Sequence, residues 1–247
     1  SSLRDHPDFT MEQIDAMSVE ELEAMRELPA IWVPYREVGN SPGNPDWDET
    51  GGKFGPFAGQ MFIGDQTQSN VFRAISEEVD GQIQGAVINF ANSFQSGNIR
   101  TVFDHKGRLW VGQTQRGWGA TGGEPYGLEI LQWDGETMPF ELLDISIVDG
   151  GFAITFTEPV AAASRDGAFS ASQWNYEYGP RYGSLKHNEA DVAVTGAVWS
   201  DDGRMVTLSM PLETGKVVAI DFAAIRDGDG RAPTSAKVFY TINRLRN

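Results

Sequence analysis

Two short polar clusters hold the side chains of this sequence that are best suited to ligand chemistry. Asp65, Gln66 and Gln68 end the segment MFIGDQTQ, while Gln113, Gln115, Arg116 and Trp118 fall in LWVGQTQRGW. In both, a short apolar run leads to a small residue and then to amide and hydroxyl groups. Amides and a guanidinium beside an indole suit a sugar, because hydroxyl edges take hydrogen bonds and the ring face stacks on an aromatic. Arg116 is also the residue type that grips a carboxylate with two parallel bonds. A second reading stays open at these positions, in which the polar groups bond to adjacent loops and fix the packing between units.

Other groups that could do chemistry are scattered. His105 lies in the turn DHKG, His6 near the start of the chain and His187 in KHNE, so the three histidines suggest neither a metal site nor a catalytic pair. Asp46, Asp48 and Glu49, and the pair Asp227 and Asp229 in RDGDGR, carry oxygen ligands a calcium ion would accept. They lack the spacing of a calcium-binding loop and read as acidic loops and turns. The stretch GWGATGG at 117–123 is glycine-rich, but no helix start follows it to receive a phosphate. Alternation places Trp174, Tyr176 and Tyr178, with Tyr182 nearby, as either a stacking platform for carbohydrate or a packed aromatic core.

Composition narrows the classes. The 247 residues carry a formal charge of −16, which repels phosphate backbones and argues against a nucleic-acid partner. There is no cysteine, which removes disulfides, thiolate zinc, iron–sulfur clusters and a cysteine nucleophile. No apolar run reaches the length of a membrane span. The sequence opens SSLRDHPDF without a methionine, as a processed, trimmed or recombinant start would, and a cleaved mature chain would read as periplasmic or extracellular.

The elements that must position the clusters are short strands. Residues 10–28 form the one strong helical pattern, read equally as one helix or two short ones, with capping boxes at Thr10/Gln13 and Ser18/Glu21. Strands are expected at 30–35, 60–64, 70–76 and 86–90, and a second set at 99–103, 109–113, 128–133 and 140–145. Residues 39–53 read as a loop. Repeated four-stranded units of this size predict two blades of a β-propeller. From about residue 148, strands at 151–159, 174–178, 191–199, 204–210, 216–222 and 236–242 suggest an immunoglobulin- or fibronectin-like sandwich. The expected chain is therefore all-β: a helical strap (1–28), a partial propeller (29–147) and a sandwich (148–247).

Segments GKFGPFAGQMFIGDQTQSNVFR, FQSGNIRTVFDHKGRLWVGQTQRGWG and YGLEILQWDGETMPFELLDI, followed by GFAITFTEPV, resemble the C-terminal part of glucose/sorbosone dehydrogenase-like propellers. The likeness is to large bacterial membrane-bound dehydrogenases in which a sandwich domain trails the blades, and it covers roughly residues 29–247. It implies a six-bladed propeller with pyrroloquinoline quinone and calcium in its funnel, oxidising sugars or aldehydes and passing electrons to a cytochrome. Gln113 and Arg116 would then face the quinone, and Asp65, Gln66, Gln68, Gln115 and Trp118 the substrate. With only two blades and no evident base, the chain is expected to be a portion or subunit, inactive alone. The missing blades would come from another chain or segment, or the exposed faces would self-associate. The alternative is a non-catalytic carbohydrate- or protein-binding module of a cell-surface complex.

Overall fold

A computed structural model describes residues 6–179 and 183–246. Two short helices open the chain, α1 (Met11–Ala16) and α2 (Val19–Glu23). Strands β1 (Pro42–Trp47), β2 (Met61–Asp65), β3 (Asn70–Val79) and β4 (Gln82–Ala91) come next. They are followed by β5 (Asn98–Phe103), β6 (Arg108–Thr114), β7 (Tyr126–Gln132), β8 (Leu142–Val148) and β9 (Gly151–Phe156). The remaining strands are β10 (Ser170–Tyr176), β11 (Lys186–Val192), β12 (Gly196–Trp199), β13 (Met205–Ser209), β14 (Lys216–Asp221) and β15 (Lys237–Ile242). The fold is all-β and antiparallel, and among the described residues its strands form three sheets, none of which closes on itself.

The largest sheet has eight strands in the order β1-β2-β3-β4-β15-β14-β10-β11. Its first four form a meander, and the β3–β4 hairpin turns through Asp80 and Gly81 at φ 47° and 77°. Two left-handed residues suit the tight turn that follows strand twist, and Asp-Gly is a preferred pair there. Beyond β4 the sheet continues into the C-terminal strands, with Ile88 opposite Val238 and Gly85 opposite Thr241.

Strands β3 and β4 are buried on both faces over part of their length, where apolar residues stand at consecutive positions: Val71 and Phe72, Ala74 and Ile75, and Ala86, Val87 and Ile88. One face packs on the four-stranded sheet β12-β13-β9-β8, giving the main core of Ile75, Ile88, Phe152, Phe156, Leu208 and Tyr240 among others. The other face meets Ile31, Trp32, Val33 and Val38, which cover Phe72, Trp174, Val217 and Phe239. The three-stranded sheet β5-β6-β7 closes over the β2–β3 end through Phe54, Phe57, Phe62, Leu109 and Val111.

Several expectations are corrected. Residues 30–35 are not a strand but an extended cover, held by the Trp32 amide donating to Thr241 Oγ1 at 2.8 Å. Within the predicted loop 39–53, Pro42–Trp47 pairs with β2 as an edge strand, where two prolines withhold no bond the sheet needs. The strand expected at 140–145 is β8, which leaves the second unit and pairs with β9. The run at 191–199 breaks into β11 and β12, which belong to different sheets. The N-terminal pattern, by contrast, takes the expected two-helix form with both capping boxes made, and Ile14 and Leu22 pack with Met17, Met25 and Tyr178. The division expected at residue 148 runs through one sheet and one core, because β4 and β15 lie side by side.

A seam of this kind couples both halves of the chain. Truncating Phe239, buried beside Trp174 on β15, to alanine is expected to cost about 3–5 kcal/mol. Denaturant unfolding followed by tryptophan fluorescence and by far-ultraviolet circular dichroism should stay a single coincident transition. Two separated transitions would show that the halves fold independently.

Candidate functional site

The two polar clusters meet at one end of the structure. The loop after β2 (65–69) and the loop after β6 (115–122) lie against each other, as the repeat pattern suggested. Gln66 Nε2 donates to the Thr114 carbonyl at 3.3 Å and to the Trp118 carbonyl at 3.4 Å. Trp118 Nε1 donates to Thr67 Oγ1 at 2.7 Å, and Thr121 donates from both its amide and its hydroxyl to the Thr67 carbonyl. The Gly122 amide bonds Ser69 Oγ at 2.9 Å. Glycine at 97 permits this approach, since a Cβ there would collide with the carbonyls of Gln66 and Thr114.

These bonds use most of the groups that would otherwise hold a ligand. Asp65 is fully buried at the end of β2, where Oδ2 accepts from the amides of Asn40 (2.7 Å) and Ser41 (2.6 Å) and Oδ1 from that of Gln68 (2.7 Å). The Gln68 side chain donates to the Arg36 carbonyl, and that of Gln115 to the Gly123 carbonyl. Gln113 is buried, accepting from the Ser96 amide and donating to Glu129 Oε2 at 3.0 Å. Arg116 is exposed at the turn after β6. Gln113, with both ends of its amide engaged, and an exposed arginine do not form a cradle for an anionic quinone. Among the described residues no group of three or more His, Asp or Glu side chains could hold a metal ion.

The scattered groups have local roles. Asp46 accepts from the Trp47 and Phe103 amides, and Asp48 from Thr50. Asp227 accepts from the amides of Asp229 and Arg231 and from the Arg231 guanidinium. The His105 carbonyl accepts from Lys53, and His187 Nδ1 stands 3.4 Å from Glu177. Trp174 and Tyr176 are core residues rather than a platform, and Lys186 Nζ sits 3.8 Å over the Trp174 ring. Tyr178 packs with the helices, and Tyr182 lies outside the described residues.

Sequence reasoning did not name the open apolar face that β5-β6-β7 turns outward. Val102, Trp110 and Ile130 form one row across the three strands, Arg100, Gly112 and Leu128 the next, and Thr114 and Tyr126 a third. Tyr126 is 75% exposed, Leu128 63% and Val102 55%. Trp110 is fixed in this face by its indole N–H, which donates to Asp104 Oδ2 at 2.9 Å, and by the Arg108 guanidinium 5.0 Å over its ring. The Trp110 bond, aided by Arg108 and backbone amides, holds the Asp104 carboxyl far below the usual range. The signal was present in YGLEILQ, where apolar residues occupy both alternating positions and so cannot all face one core.

Among the described residues no helix is long and apolar enough to cross a membrane. No family model matches the sequence, and no curated protein or solved structure matches it either.

The hydrogen bonds separate anchoring residues from free ones. Asp65→Ala orphans three backbone donors and is expected to lower unfolding free energy by about 2–4 kcal/mol. Arg116→Ala should stay within about 0.5 kcal/mol of the parent. Urea denaturation of the two variants checks the contrast.

Proposed function

We propose that this chain is a non-catalytic binding and assembly module, whose open sheet β5-β6-β7 seats the apolar sheet face of a different protein. The observation that carries this reading is the row structure of its outer face, where Val102, Trp110, Tyr126, Leu128 and Ile130 share one surface. A contiguous apolar face of this kind marks an interaction site more often than a bare surface. A rigid tryptophan braced by an arginine at its edge is the sort of group that concentrates binding energy.

The edges support the same reading. At one side of this sheet, β5 is tied across to β1, with Asn44 bonded to the Thr101 amide and carbonyl. The other side ends in β7, whose outer edge no strand of the chain pairs among the described residues. Such an edge can accept a further strand. A second copy is the poorer occupant, because two chains each of formal charge −16 repel and the face itself carries Arg100 and Arg108, which would meet their own kind. The sugar- or aldehyde-oxidising chemistry implied by the propeller resemblance would then reside in the assembly and not in this chain.

The face can be tested by placing a photoreactive benzoylphenylalanine at Leu128 and, as a control, at Asp201 in a remote exposed turn. Crosslinking in the native host should give one discrete adduct from position 128 alone, with a partner identified by mass spectrometry as a β-sheet protein. Adding Ile130→Lys should abolish it. Equal labelling at both positions, or a homodimer by light scattering, would overturn the proposal.

A further inference from the structure

A second concave feature lies on the inner side of β7, away from the open face. It is an open pocket of about 390 Å³, within the range of small-ligand sites. The loop after β1 supplies Phe54 and Phe57, the end of β4 supplies Phe90, and the turn after β7 supplies Trp133. Phe90 stands 5.9 Å from Phe54 and 5.4 Å from Phe57, so the rings form one cluster. Trp133 is fixed by its indole N–H donating to the Thr137 carbonyl at 2.8 Å. It leans on Gly55, where a Cβ would lie 3.8 Å from the ring.

The two charged side chains that line this pocket are both acidic. Glu141 lines it and is only 4% exposed, with Oε1 accepting from the Thr234 amide at 3.1 Å. Burial pushes its carboxyl upward, against the opposing pull of Thr234 and the field of Arg73. Arg73 itself does not line the pocket. Its guanidinium lies 4.2 Å over the Phe57 ring and donates to Gln60 Oε1 and the Leu142 carbonyl. Asp134, the other charged group of the lining, adds a second carboxylate at the exposed mouth.

We propose that this pocket binds a small quaternary ammonium compound, its cationic head against the aromatic rings and its charge balanced by Glu141. Aromatic walls attract a cation through the ring quadrupole, and this suits alkylated ammonium groups especially. A primary ammonium brings three N–H donors that need acceptors. Here the Glu141 carboxylate already accepts from Thr234 and Ser235, Asp134 is taken up by the amides of Glu136 and Thr137, and the rest of the wall is largely apolar. A quaternary head makes no such demand. An anion would meet two carboxylates, while no guanidinium lines the pocket: Arg73 lies behind Phe57 and Arg231 is spent on the Met138 carbonyl and on Asp227.

The test compares choline with 3,3-dimethyl-1-butanol, which has the same shape with carbon in place of the charged nitrogen, by calorimetric titration of the whole chain. Choline should bind at least about tenfold more tightly than the neutral alcohol. Glu141→Gln keeps an acceptor for Thr234 and should erase that preference. Trp133→Leu, at a partly exposed wall, should weaken choline severalfold while leaving the melting temperature close to the parent. Equal affinity for the two compounds, no choline binding up to tens of millimolar, or an unchanged preference in Glu141→Gln would each overturn the assignment. If Glu141→Gln fails to fold, the comparison of the two compounds on the parent protein still decides.

Discussion

Four residue pairs, from Ile88 opposite Val238 to Gly85 opposite Thr241, join strands that lie about 150 residues apart in the chain. Everything between them must be arranged so that this ladder can form. The pairing converts a four-stranded meander and a set of C-terminal strands into one eight-stranded sheet. It also creates two broad faces that must both be covered. The four-stranded sheet takes one, and the extended segment holding Ile31, Trp32 and Val33 takes the other. Loop closure over such a separation is entropically costly, and the burial on both sides of β3, β4 and β15 is what offsets it.

The polar interior follows the same logic. Tyr240 on β15 donates to Glu77 Oε1 at 2.6 Å and accepts from Gln84 at 2.8 Å, stitching three strands of the main sheet through side chains. Arg73 crosses from β3 toward the start of β8, fully buried, with its pKa lowered to about 10 by desolvation, so it stays charged at neutral pH. A buried cation of this kind persists because carbonyl oxygens and aromatic faces replace its water. The same aromatic nest forms the wall of the pocket beside Glu141, so a packing solution for one charge leaves a cation-attracting surface for another.

The polar loops 65–69 and 115–122 illustrate how a binding surface and a structural lock share residue types. Amides and hydroxyls at a loop tip are free to meet a ligand only when no neighbouring loop is close. Gly97 lets the loops approach, and the groups then satisfy one another. What stays open is apolar, on the outer face of the three-stranded sheet. The proposed binding role therefore rests on the open apolar surface and not on the polar clusters.

Local physics was legible in the residues themselves. Capping boxes at Thr10 and Ser18, the turn DHKG, and most strand positions follow from hydrogen-bonding groups, glycine conformation and alternation within a few residues. The two polar loops do lie together, but β2 belongs to the eight-stranded sheet and β6 to the three-stranded one, so their nearness comes from how these sheets pack. Sheet membership was not legible. Nothing in GQIQGAVINF or KVFYTI names the other as its neighbour, since backbone ladders are the same for every apolar strand. The β4–β15 seam, the departure of β8 to pair with β9, and the bonded state of Asp65 and Gln113 depend on which surfaces are buried together. Burial is a property of the whole assembly of strands, and only the tertiary structure decides it.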